Sequence, residues 1–154
     1  MANPIISIEV MGLKEAEQMF KNLGADLPHA LREATMKAGL HVEKEVKASI
    51  SGRRDEPESV DTGIFRSSVK TIETAPFEVK VLSDVEYAKY LEWGTHNPGG
   101  GWKIAPRRHF TNTLHNNQKT IRDILAAEVN IAVKKYQINR LKSFFSPSKF
   151  FKTL

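Results

Sequence analysis

The chain has 154 residues and a net charge of +5, enough length for one domain with its own core and little room for a second. It has no cysteine, which excludes a disulfide framework, cysteine-ligated zinc and thiol catalysis and fits assembly in a reducing cytoplasm. Its apolar runs are broken within a few residues and Met1-Ala2-Asn3-Pro4 lacks a basic signal-peptide start, so a soluble intracellular protein with no membrane partner is expected.

In chain order, Ile6, Ile8 and Val10 alternate with Ser7 and Glu9, the period of a half-buried strand. After Gly12, the residues Leu13, Ala16, Phe20 and Leu23 recur at helical spacing, and Gly24 stops that helix. Asp26 caps a second helix with Pro28 in its first turn. Leu27, Leu31, Ala34, Ala38, Val42, Val46 and Ile50 form one long apolar stripe along it. Ala34 and Ala38 predict close packing against a neighbouring helix.

Ser51 to Ser59 has charges, one proline, one glycine and no large apolar group, which predicts a mobile loop because ordering it gains no buried surface. Asp61, Thr62 and Gly63 predict a turn with positive φ at the glycine. Strands follow over roughly Ser67 to Glu73 and Phe77 to Leu82, joined through Thr74-Ala75-Pro76, with Phe77, Val79 and Val81 on one face. Ser83-Asp84-Val85-Glu86 reads as a capping box for a short helix that ends at Gly94. Tyr87, Tyr90 and Trp93 on that helix read as core aromatics.

Asn97-Pro98-Gly99-Gly100-Gly101 is a flexible loop leading to a short strand at Trp102 to Ile104. The last long helix starts near Pro106 or Phe110 and runs to about Tyr136, with Phe110, Leu114, Ile121, Leu125, Val129 and Ala132 along its inner face. The whole predicts an α+β fold: a small antiparallel sheet packed against two or three helices, with a long C-terminal helix and a basic aromatic tail. The domain spans 1–136 and the tail 137–154, which holds Phe144, Phe145, Phe150 and Phe151 among lysines.

Charge is unevenly spread: residues 1–100 carry 12 Lys/Arg against 16 Asp/Glu, and residues 101–154 carry 11 against 2. A basic end attracts phosphate backbones or complements an acidic face of a neighbouring subunit, and a solvated helix face is the plain alternative.

Catalytic patterns are absent. Gly99-Gly100-Gly101-Trp102-Lys103 does not feed a helix as a phosphate loop does, so no cofactor is expected. His41 and Glu45 share a helix face as a solvated pair without the second histidine of a zinc motif, and no metal is expected. Ser67, His109 and Asp61 could be drawn as a triad, with nothing in their spacing to favour it. Asp55, Glu56 and Glu58 lack the apolar surroundings that raise a carboxyl pKa. Arg66, Arg107 and Arg108 suit contact with carboxylates at an interface, or ion pairs with Glu86 or Glu92.

Three ordered segments carry a resemblance: Asp61, Thr62, Gly63, Arg66 and Ser68 in a pattern Asp-Thr-Gly-x-x-Arg-x-Ser; Tyr87, Ala88, Tyr90, Glu92, Gly94 and Thr95 in Tyr-Ala-x-Tyr-x-Glu-x-Gly-Thr; and Arg108-His109-Phe110 where the family reads Arg-Pro-Phe. Over roughly residues 5–136 the chain resembles the neck or tail-completion proteins of long-tailed bacteriophages. The resemblance implies a structural virion protein that acts by assembly and not catalysis, at the neck or tail end and in the host cytoplasm before that. It implies a ring of six or twelve copies, with other neck, connector and tail-tube proteins as neighbours and DNA nearby. The candidate interface residues are Arg66, Arg107, Arg108, Trp102, Phe144, Phe145, Phe150 and Phe151. The competing reading is a nucleic-acid-binding module built on the basic C-terminal third, with Trp102 and the terminal phenylalanines as stacking groups.

Overall fold

The structure is a computed structural model, and it describes residues 6–10, 26–53, 58–59 and 62–144. The expected first helix over Leu13 to Leu23, residues 54–57, Asp61 and Phe145, Phe150 and Phe151 lie outside the described residues. The elements in order are β1 (Ile6–Val10), α1 (Asp26–Ile50), α2 (Ile64–Ser68), β2 (Lys70–Ala75), β3 (Glu78–Ser83), α3 (Ala88–Trp93), β4 (Thr95–His96), β5 (Trp102–Ile104) and α4 (His109–Phe144). The class is α+β, as the sequence predicts.

A three-stranded antiparallel sheet has the order β1-β3-β2, with Ile8 opposite Val81 and Thr71 on the other side of Val81. The apolar stripe of α1 is buried from Leu31 on: Ala38, Val42, Val46 and Ile50 lie against Val79 and Val81 of the sheet and Phe110 and Ile121 of α4, Leu31 packs with Phe77 and Ala132, and Ala34 is buried as well. Each fully buried Val, Leu or Ile contributes about 1.5–3 kcal/mol, which makes this stripe the main source of stability. α1 and α4 run antiparallel, since Ser49 meets His109, His41 meets Asn117 and Lys37 meets Glu128.

Gly39 sets how closely α1 sits on the sheet. A Cβ there would lie 2.7 Å from Thr71 Cγ2 and 2.8 Å from Val79 Cγ2, so the sheet occupies the space a side chain would need. Glycine inside a helix costs about 1 kcal/mol relative to alanine, and here the close approach offsets it. Beside it, Glu43 reaches over the edge of β2 and its Oε2 accepts the Thr71 N–H at 2.8 Å. Partial burial pushes the Glu43 carboxyl up, but hydrogen bonds from Lys47 and Thr71 outweigh it and hold the group below its ordinary value.

Several boundaries differ from expectation. Ser67 and Ser68 end α2 and are not part of β2: their hydroxyls donate to Ile64 O at 2.9 Å and Phe65 O at 2.8 Å, closing a helical turn in place of a ladder. The hairpin turn falls at Pro76-Phe77, after β2 has run on to Ala75. Phe77 takes φ 66° there, and its ring is buried with Leu31 and Ala132. α4 passes Tyr136 and continues to Phe144.

The mobile-loop reading of Ser51 to Ser59 fails at its described ends. Arg53 pairs with Glu45, and the Ser59 N–H donates to Ile50 O at 2.8 Å. A count of apolar side chains misses such polar ties.

Candidate functional site

The three sequence motifs meet at one end of the molecule, where α1 finishes and α4 begins. Within the first motif Gly63, after Asp61 and Thr62, stands at φ 77° as the N-cap of α2. Its conformation lets the chain turn at once into Ile64–Ser68, with the Ser67 N–H donating to Gly63 O at 2.9 Å. α2 drives Phe65 into the core and leaves Ile64 half exposed at 53%. Arg66 is exposed and donates to Ser51 Oγ at 3.3 Å. Ser68 Oγ lies 2.7 Å from the buried Ser83 Oγ. The expected capping box is therefore not formed, because Ser83 is engaged by Ser68 and the Val85 N–H, and Tyr87 stands at the N-cap of α3 without a side-chain bond.

The second motif places Ala88 and Glu92 on the inner face of α3, at 0% and 1% exposure. Glu92 is the keystone of this end. Its Oε2 accepts the Phe110 N–H at 3.0 Å, and its Oε1 accepts the Thr111 N–H at 2.8 Å and the Thr111 hydroxyl at 2.6 Å. A carboxylate from α3 thus caps the first turn of α4, where free N–H groups and the helix dipole favour negative charge. Arg108, at φ 54° just before α4, brings no cap of its own, which is the sequence signal that an acceptor must come from elsewhere. The sequence reading missed it and treated Glu92 as an ion-pair partner for arginine.

Gly94 closes α3 at φ 73°, its N–H donating to Tyr90 O at 2.9 Å. A Cβ there would lie 2.6 Å from Ile104 O and 2.8 Å from the Trp102 ring. The following residues form a hairpin of β4 and β5 in which His96 stacks on Trp102 at 4.0 Å.

Arg107 ties the start of the third segment to the second and to Glu58 and Ser59, which precede the first. Its N–H donates to Leu91 O at 2.7 Å, and its guanidinium donates to Glu58 O and, at 2.8 Å, to Ser59 Oγ. Ser59 in turn meets His109 Nε2 at 2.7 Å, and His109 Nδ1 meets Ser49 Oγ at 2.8 Å. His109 is fully buried, so it ties three segments together and does not face solvent. Ser67 is elsewhere, bonded to Ile64 O, and the drawn triad is not assembled. His41 does not pair with Glu45: it meets Asn117 Oδ1 at 3.1 Å, while Glu45 accepts from Arg53. Among the described residues no three His, Asp or Glu side chains converge as a metal site requires, and no described helix is long and apolar enough to cross a membrane.

Outside this polar framework the surface is aromatic. Tyr87, Tyr90 and Trp93 are exposed by 42%, 44% and 62%, which overturns their reading as core. The inner face of α3 is already taken by Ala88, Leu91 and Glu92, so the aromatics point outward. Trp102 is half exposed as well, and Lys89 lies over the Tyr90 ring at 5.0 Å. An open groove of about 650 Å³ runs beside this patch between Ile64, Phe65, Tyr87, Leu91, Glu58 and Arg107. Of the expected interface residues, Arg66, Trp102, Arg107 and Arg108 all come to this end. Phe144 ends α4 at the far end.

The family profile described as "Bacteriophage HK97-gp10, putative tail-component" matches residues 14–94, which hold α1, the sheet hairpin, the first motif and the second up to Gly94. The chain belongs to this HK97-gp10-like family. Membership assigns it a structural role as a phage tail component, and hence a place in the virion among other virion proteins. Neither a curated protein nor a solved structure matches the chain. The matched segment stops at Gly94, so β4, β5 and α4 lie beyond it, although α4 supplies Phe110 and Ile121 to the core that α1 packs into.

Proposed function

We propose that this tail component works at the head–tail connection, as a neck or tail-completion protein that assembles into a closed ring of six or twelve copies and performs no catalysis. The observation that carries the reading is the division of labour in the motifs. Their polar groups (Ser68, Glu92, and Arg107 beside them) are spent on internal bonds, while their aromatic groups (Tyr87 and Tyr90) stay outside with Trp93. Exposed Tyr and Trp clustered on one end are the composition of protein contact surfaces. A ring needs heterologous contacts between different surfaces of one chain, and a molecule with distinct ends provides them. The domain at 1–136 then supplies the ring body, and residues 137–154 an extension toward neck, connector or tail-tube neighbours. Assembly takes place in the host cytoplasm under this reading.

Deleting the gene from its phage and imaging the lysate tests this. Filled heads and finished tails that remain unjoined, restored by the gene in trans, are the expected result. Joined particles without the protein would overturn it.

A second reading has one observation in its favour. The exposed Trp102 is followed in sequence by the exposed Lys103 and, before α4, by the exposed Arg108, neither with an ion-pair partner among the described residues, a composition suited to phosphate and a stacked base. Binding of the isolated protein to DNA that weakens steeply with salt would support it, and salt-independent or absent binding would remove it.

A further inference from the structure

The groove between α2 and α3 opens to solvent with an apolar floor of Phe65 and Leu91, an apolar rim of Ile64 and Tyr87, and two charged groups at one side, the Glu58 carboxylate and the Arg107 guanidinium, the latter held by Glu58 O and Ser59 Oγ. Glu58 has no ion-pair partner among the described residues. The chain carries a segment of matching chemistry: Phe145, Phe150 and Phe151 with Lys149 and Lys152, where rings would fill the apolar part and lysines would face the carboxylate.

Geometry excludes one route between the two. The groove lies beside Arg107 at the start of α4, and the aromatic segment follows Phe144 at the end of the same 36-residue helix. At 1.5 Å per residue the helix separates its ends by about 54 Å. Phe150 and Phe151 follow Phe144 by at most seven residues, and seven fully extended residues span no more than about 25 Å. The segment therefore cannot reach the groove of its own chain.

We infer that the groove of one copy is the seat for the Phe145–Phe151 segment of another, so that neighbouring copies are linked head to tail with the helix α4 as the spacer. The inference rests on the self-assembly reading above and names the contact that would carry it. Both partner surfaces occur once per chain and differ from each other, which is the heterologous arrangement that closes into rings.

A fluorescently labelled peptide of residues 143–154, titrated into the full-length protein and followed by anisotropy, reads the contact directly. Saturable binding is expected, weakened at least ~tenfold by Ile64→Arg in the protein or by Phe150→Ala with Phe151→Ala in the peptide. Glu58→Lys should weaken it less and reduce its dependence on salt. Ile64 is half exposed, and a melting curve unchanged by Ile64→Arg confirms that the seat and not the fold was altered. Absence of binding, or binding untouched by Ile64→Arg in a folded protein, overturns the inference. The ring is read separately by negative-stain imaging. Rings formed by a full chain carrying Phe150→Ala and Phe151→Ala would overturn the seat and leave the ring standing, whereas peptide binding by a chain that stays monomeric would support the seat and count against the ring.

Discussion

α1 and α3 solve opposite problems. α1 follows the ordinary rule, with its apolar stripe inside and Glu33, Lys44 and other charges outside. α3 inverts it, with a carboxylate at 1% exposure within and three large aromatics without. A buried carboxylate without partners would be strongly destabilising. Glu92 is tolerated because two backbone amides and a hydroxyl of α4 surround it. The outward aromatics are less fully engaged: Tyr87 meets Phe65 edge-on at 6.1 Å and Lys89 lies over Tyr90, while Trp93 stays 62% exposed, so much of their apolar surface is left for a partner. The lesson is that a short helix of six residues can be devoted to an end surface when longer helices already hold the core.

The sharpest way to break this comparison is at Gly94, where α3 hands over to the hairpin. Gly94→Val combines a left-handed φ with a 2.6 Å approach to a backbone oxygen, and should cost about 4 kcal/mol or more in thermal or denaturant unfolding. Glu92→Ala comes next. It leaves the Phe110 and Thr111 amides uncapped in a buried place, and a loss of about 3 kcal/mol is expected, with amide exchange accelerated in the first turn of α4. Gly63→Val has the same sign of φ but nothing within 4 Å of its Cβ, so strain acts alone and about 1–2 kcal/mol should be lost. Equal effects at Gly63 and Gly94 would show that backbone strain, and not contact, governs both.

A smaller effect concerns pH. Glu43 titrates below its ordinary value when folded, so its contribution is complete above the unfolded carboxylate range and is lost as pH falls through the folded value. Glu43→Gln should flatten the acid limb of the stability curve, as measured by denaturant midpoints from neutral to acid pH. The smallest effect is on the outer face of α3: Trp93→Ser should change stability by no more than about 0.5 kcal/mol. Under the ring proposal it also lowers the yield of oligomer, which sedimentation measures. A large loss of stability would mean that the outer face has an internal partner after all.

Much of the scaffold was legible in the sequence because periodicity is a local signal. The stripe from Leu31 to Ile50, the strand from Ile6 to Val10 and the inner face of α4 all follow from spacing alone. Residues whose role depends on another element were harder to place. Ser83 matched a local capping pattern, yet its hydroxyl faces Ser68, fifteen positions away in sequence. The aromatics of α3 were read as core because aromatics usually are; the sequence holds no sign that Ala88 and Glu92 take the inner face until α4 is seen to need a cap. Gly39 carries no sign of its role in the sequence, since only the sheet beneath it explains the missing side chain. At the site, the motif positions stand out in the sequence, but Arg107 reads there as an interface contact where it is internal bracing, and Glu92 as an ion-pair partner for arginine where it caps α4.

The reach of Glu43 over β2 bears on how copies of this chain can meet. β2 borders β3 on one side only, and a bare strand edge recruits the strands of other molecules without limit. Near the start of that edge the Thr71 amide is already taken by a carboxylate that also carries charge. A neighbouring strand would have to displace Glu43 from the Thr71 amide to pair there. Growth by strand addition along β2 is thus discouraged, and copies crowded together at high concentration are left to associate through side-chain surfaces, where a count of subunits can be fixed.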